Sequence, residues 1–196
     1  MYSKVQKFNK GFTVIELLIA MAGFSFVLLL VTIVMMNIGS IYSKGINQTK
    51  IDDAARYITD DISRQIKFSK PIDLTQGSSG KYCIGGIMYS YNLNQKPTSA
   101  AYALKRSYMP SGTSCSSLPS AGEELVPANA QLSSFEITST DGVVYSIKVS
   151  LYYGDRVNLQ SPPPGTPSYD SKCKPTSSYQ YCAVTQLTTF ATPRIN

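Results

Sequence analysis

One carboxylate stands inside the most apolar stretch of this sequence. From Phe12 to Met36 the only charged residue is Glu16, and the only other polar side chains are Thr13, Ser25 and Thr32. A carboxylate held in a membrane helix costs about 2.5 to 3.5 kcal/mol and is kept for a reason, and the chemistry open to Glu16 is the pairing of its charge. The second reactive set is the four cysteines, Cys83, Cys115, Cys173 and Cys182, all of which follow the apolar stretch. An even number confined to one side fits disulfides in an oxidising compartment. Joining neighbours in sequence, Cys83 with Cys115 and Cys173 with Cys182, closes the shorter loops. A zinc site made of all four is the rival reading, although no Cys-x-x-Cys spacing is present to favour it. The chain has no histidine, which excludes His-based hydrolytic triads and His-liganded metal sites. Gly77 to Gly80, Gly85 and Gly86 lack the Lys and Ser/Thr spacing of a phosphate loop. No enzymatic activity, cofactor or metal is expected.

The element that positions Glu16 is an apolar helix. At ~1.5 Å per residue about 20 residues cross a ~30 Å hydrocarbon core, and Leu17 to Met36 supplies them. Lys4, Lys7 and Lys10 precede the run and no cation follows it until Lys44, so Met1 is expected in the cytoplasm and everything after Tyr42 outside. A secretory signal peptide would have a shorter apolar core and a small-x-small cleavage site, for which Gly39-Ser40-Ile41 is a poor candidate. The formal charge of +6 falls to 15 basic against 12 acidic, or +3, once those three leader lysines are set aside. So weak a balance is poor support for a nucleic-acid surface.

Lys10-Gly11-Phe12-Thr13-Val14-Ile15-Glu16-Leu17-Leu18-Ile19 resembles the prepilin signature of the type IV pilin and type II secretion pseudopilin family. The shared features are a short basic leader, a glycine, a phenylalanine, a glutamate four positions later and a long apolar helix. The resemblance implies that a membrane peptidase cuts after Gly11, that the new terminus at Phe12 is N-methylated, and that Glu16 compensates the amine of a neighbouring subunit. Elementary electrostatics agrees, since the cut places an ammonium group in an apolar setting where an unpaired charge is expensive, and Glu16 is the only counter-charge there. Phe12 and Glu16 are also four apart on one helical face, so a pair within one chain stays open. Many pilins carry a proline some twenty residues into the mature helix. This chain has none before Pro71, so a kink would have to arise near Gly23 or Gly39.

Beyond Tyr42, Ile51, Ala54, Ala55, Ile58, Ile62 and Ile66 continue a helical stripe, which predicts a helix running on to Phe68 and stopped by Pro71. Asp52 with Arg56 and Asp60 with Arg64 are expected as i, i+4 pairs on its solvated face. Ile51 to Ile66 is similar to the corresponding helix of minor pilins and pseudopilins of the W and J types, which implies a low-copy subunit. The periodicity then becomes two. Tyr82 to Tyr91 and Ala100 to Tyr108 are predicted strands joined around Asn94 and Pro97, Leu132 to Ser139 and Val143 to Tyr153 form a hairpin at Asp141-Gly142, and Ala183 to Phe190 closes the sheet. Pro110 to Ala128 and Gln160 to Tyr181 are irregular, and Tyr169, Tyr179 and Tyr181 are expected either to pack the second loop on its own domain or to form a contact patch. The ending Pro193-Arg194-Ile195-Asn196 resembles the tail of many prepilin-type proteins.

The predicted architecture is α+β, a long N-terminal α-helix packed on a C-terminal antiparallel β-sheet head. Residues 1–11 form the leader, 12–41 the transmembrane and filament-core helix, and 42–196 the head. The expected function is structural, as a subunit of a pilus or secretion filament. Its implied partners are other subunits, the prepilin peptidase and an inner-membrane assembly platform whose ATPase supplies the energy. The implied location is the cytoplasmic membrane before assembly and an extracellular filament afterwards. The alternative is a tethered adhesin or DNA receptor, whose head alone would bind cells or DNA with salt-dependent strength.

Overall fold

The structure, a computed structural model, describes residues 11–68, 80–109, 115, 121–139, 141–160, 172–174 and 182–194. The chain divides into two compact units, Met1–Ser40 and Ile41–Asn196. Its one α-helix among the described residues, α1, spans Val14–Phe68.

In the first unit α1 is apolar on every side and is exposed among the described residues: Phe24, Leu29 and Met35 are each at least 65% exposed. A helix apolar all round belongs in lipid or in a protein interior. This one is long and apolar enough to cross a bilayer. The hydroxyls along this stretch return to their own backbone, Ser25 Oγ donating to Met21 O at 2.8 Å and Thr32 Oγ1 to Leu28 O at 2.8 Å.

In the second unit the character of α1 changes as the apolar residues fall to helical spacing. Ile51, Ala55, Ile58, Ile62 and Ile66 are fully buried and form one core with the two larger sheets of the head. Each buried isoleucine contributes about 1.5 to 3 kcal/mol. The expected α+β layout is therefore present, with the helix packed on antiparallel sheets. Pro71 lies outside the described residues. The head uses the acids of this helix differently from the two surface pairs anticipated on it. Asp52 accepts from Gln48 Nε2 at 3.0 Å, and it is Asp61, beside Asp60, that meets an arginine of the head.

The first sheet holds β1 (Lys81–Ile84), β2 (Ile87–Tyr91), β3 (Leu104–Tyr108) and β4 (Glu123–Glu124), antiparallel in that order. The single strand expected from Tyr82 to Tyr91 is thus a hairpin. Gly85 and Gly86 sit at its tip with φ of 58° and 82°, the left-handed values that a two-residue turn needs and that glycine adopts without a Cβ penalty. The strand expected from Ala100 begins only at Leu104. Thr98 Oγ1 accepts the amides of Ala100 and Ala101, and the Glu124 carboxylate accepts those of Ala103 and Leu104 at 2.9 Å each, so side chains take the donors that a ladder would use.

The second sheet holds β5 (Ala130–Ser139), β6 (Tyr145–Tyr153) and β9 (Ala183–Ala191), in that order, with a bulge between Leu132 and Ser134. Asp141-Gly142 lies in the β5–β6 connection, Gly142 with φ of 69°. The final strand pairs with β6 and so completes this sheet rather than a common one. A third ladder joins β7 (Leu159–Gln160) to β8 (Lys172–Cys173), the second of which falls inside the stretch from Gln160 to Tyr181 expected to be irregular. Tyr82, Tyr91 and Phe135 tie the two larger sheets together, Phe135 standing edge-on to both tyrosines at 5.4 and 5.2 Å. The disulfides join Cys83 to Cys115 and Cys173 to Cys182. Tyr169, Tyr179 and Tyr181 lie outside the described residues.

Candidate functional site

The site is the start of α1. Gly11, Phe12 and Thr13 are non-helical and Phe12 is 84% exposed. Helical bonding begins where Leu17 N donates to Thr13 O at 3.2 Å. Thr13 and Glu16 then satisfy each other: Thr13 N donates to Glu16 Oε2 at 2.9 Å, Thr13 Oγ1 donates to the same oxygen at 2.8 Å, and Glu16 N donates to Thr13 Oγ1 at 3.3 Å. This is a capping box, Thr13 at the N-cap and Glu16 three residues on, which uses two donors that a helix start otherwise leaves orphaned. Both bonds to the carboxylate fall on Oε2, so Oε1 can receive another donor. The sequence carries this signal as Thr-x-x-Glu ahead of an apolar run, where Thr13 reads only as an incidental polar residue.

Chemically the arrangement offers a peptide bond, Gly11–Phe12, in accessible backbone and an oriented acid one turn into an apolar helix. Lys4, Lys7 and Lys10 lie outside the described residues. The four cysteines are far from this segment in sequence and are all in disulfides.

A second cluster of charge lies in the head. Arg106 of β3 stands in register with Tyr89 of β2, and both reach Asp61 of α1, Arg106 Nη1 to Oδ1 at 2.7 Å and Tyr89 OH to Oδ2 at 2.7 Å. Arg106 Nη2 also meets Glu123 Oε2 at 2.9 Å. These groups satisfy one another, so the cluster clasps the helix to the first sheet. Among the described residues no group of His, Cys, Asp and Glu could hold a metal ion.

The tyrosines of this region give the head an alkaline limit. Burial first, and then the hydrogen bond and charge of Asp61, push the Tyr89 hydroxyl well above the usual range. Burial and the neighbouring Tyr82 push Tyr91 up to about 12. Both are neutral in the fold, whereas an unfolded tyrosine ionises near ~10, so the stability they supply is fully present below about pH 10 and is lost as pH climbs, for Tyr91 through about 12 and for Tyr89 at still higher pH. Thermal melts of the full chain in a neutral detergent should therefore hold steady up to about pH 10 and fall beyond it. The fall should be shallower in the Tyr89→Phe/Tyr91→Phe double variant.

No family model, curated protein or solved structure matches this chain.

Proposed function

We propose that the chain is a structural subunit, of low copy, of a type IV pilus or type II secretion-like filament. In this reading it is cut after Gly11 by a prepilin peptidase and assembled through α1. The observation that supports it best is the order of features at the start of α1. The bond to be cut lies in non-helical, exposed backbone, the form that a protease can bind. It is followed at once by a capped helix apolar on every side. Cutting there releases the basic leader and places the Phe12 ammonium one turn from Glu16, within an otherwise uncharged surface. Such a charge is tolerable in lipid or in a filament core only when paired. The remaining embedded hydroxyls, Ser25 and Thr32, are already satisfied within the helix, so the Phe12–Glu16 charges are what a neighbouring subunit has to match. The head then decorates the shaft or its tip.

Intact mass of the chain purified from cells, with and without the peptidase, tests this. The expected result is a mature form beginning at a methylated Phe12 when the peptidase is present and a form beginning at Met1 when it is absent. A chain that keeps its leader in both would leave a membrane-tethered head and remove the case for filament entry.

A further inference from the structure

The two larger sheets end on edge strands that the head closes unequally. Along β5 the chain itself takes outward backbone groups, Ala130 N donating to Pro127 O at 3.0 Å, Asn94 N to Leu132 O at 2.8 Å and Ile137 N to the Tyr82 hydroxyl at 3.4 Å. The edges β1 and β4 are short, with four and two residues. The edge at β9 has neither protection. It is nine residues long, Ala-Val-Thr-Gln-Leu-Thr-Thr-Phe-Ala, without a charge, a proline or a bulge, the devices that keep edge strands from pairing. Gly154 N donates to Asn129 O across the Ala130–Tyr153 pair, which fixes the phase of the ladder. Odd-numbered residues of β6 turn to β9, so Val184, Gln186, Thr188 and Phe190 point their N–H and C=O groups away from β6. Among the described residues only Val184 O meets a donor on that side, Gln48 Nε2 at 3.1 Å.

A row of alternating donors and acceptors at this spacing is what a further strand fills, and the sequence of β9 supplies that strand to itself. About a two-fold axis at Leu187, an antiparallel copy sets Val184 opposite Phe190 and Gln186 opposite Thr188, so all four outward residues fall in bonded pairs. Phe190 is 67% exposed, and Gln186 and Thr188 are exposed. In this register the ring gains a β-branched neighbour and the amide a hydroxyl, both favourable cross-strand pairs. A slip of two residues either way loses the Val184–Phe190 pairs. We propose that β9 joins two copies of this chain edge to edge, antiparallel about Leu187, so that their second sheets become one. Beside it α1 runs in the same direction, Gln48 bonding Val184 at one end and Lys67 O accepting from Arg194 N at the other, so the pair sets these two helix stretches in opposite directions. It therefore joins chains that face one another, a contact separate from assembly through the start of α1.

The test is sedimentation of the full chain in a neutral detergent over a range of concentrations, with two double variants at exposed positions. In Gln186→Lys/Thr188→Lys the register sets lysine against lysine across the axis, whereas in Gln186→Lys/Thr188→Glu it sets lysine against glutamate. Expected is a reversible dimer of the unsubstituted chain, weakened about tenfold or more in the first variant and kept in the second. Hydrogen exchange supplies the matching local result: the amides of Gln186, Thr188 and Phe190 should exchange fast in the monomer and slow in the dimer, while those of Thr185, Leu187 and Thr189, bonded to β6, are slow in both. A chain that stays monomeric, or a dimer equally strong in the first variant, overturns the proposal, the latter because the contact then lies elsewhere, as in α1. Loss of the dimer in both variants overturns the register and the proposal with it. Melting of each variant, together with the mass of its intact disulfides, shows that a loss of pairing is not a loss of fold. None of these results depends on cleavage after Gly11, so they stand apart from the test of the proposed function.

Discussion

Replacing Glu16 with Gln should keep the chain out of a filament as completely as replacing it with Ala does. The two substitutions separate the two roles that one side chain would carry. The glutamine variant can still accept from Thr13 N and Thr13 Oγ1, because a capping box works with either Glu or Gln, whereas the alanine variant cannot. Neither retains the negative charge. If pairing with the Phe12 ammonium drives assembly, both variants leave that ammonium uncompensated at a cost of about 2.5 to 3.5 kcal/mol, or roughly a hundredfold in the equilibrium between membrane and filament. Replacing Thr13 with Val does the reverse. It removes the cap, worth about 1 kcal/mol, and keeps the charge, so it should lower incorporation only severalfold. The measurement is the fraction of chain recovered in sheared filaments against the fraction retained in membranes, with protease protection confirming insertion. Normal incorporation of the Glu16→Gln variant would reduce Glu16 to a helix cap and sink the charge-pairing account.

In the head the largest loss is expected at the Asp61–Arg106 clasp. The two side chains are 11% and 16% exposed, so removing Asp61 leaves Arg106 in a poorly hydrated place with only the more exposed Glu123 to pair it, and leaves the buried Tyr89 hydroxyl without its acceptor. Asp61→Ala should destabilise the head by about 3 kcal/mol, which lowers its melting temperature by roughly 6 to 12 °C for a unit of this size. Asp61→Asn should cost less, since the amide oxygen still accepts from Tyr89. The Asp61→Leu/Arg106→Leu double variant should recover part of the loss, because it leaves no buried charge unpaired, while the Tyr89 hydroxyl still lacks its acceptor. Circular dichroism melts of these chains in neutral detergent supply the comparison. A double variant no more stable than Asp61→Ala would mean that the clasp acts through packing rather than charge.

These two sites differ in how openly the sequence displays them. Glu16 is conspicuous because it is the one charge in an apolar run, and the buried face of α1 is conspicuous because Ile51 through Ile66 repeat with the helix period. Local signals of this kind need no knowledge of distant partners. Asp61 gives no such signal. It sits among Asp60, Arg64 and Arg56 on what reads as a solvated face, and its partner Arg106 lies 45 positions away. Only the register between β2 and β3 brings Tyr89 and Arg106 side by side to meet it. The hairpin at Gly85-Gly86 is readable in principle, since Gly-Gly between two β-prone segments is a turn signal, but a glycine cluster also invites comparison with a phosphate loop, and that comparison hides the turn. The late start of β3 cannot be read locally, because it depends on Glu124 taking the amides of Ala103 and Leu104 from about twenty residues away.

The bond from Gln48 to Val184 spans 136 positions, and the Arg194 amide returns to Lys67 O at 3.1 Å. A ribosome delivers the isoleucine ridge long before it delivers the strands that will shelter it. During that interval the ridge stays wet, and slow, non-local closure makes it vulnerable to sticking elsewhere. The N-terminal helix is therefore made well before the head can close on it. Anything that hastens proteolysis should strike newly made chains far harder than mature ones.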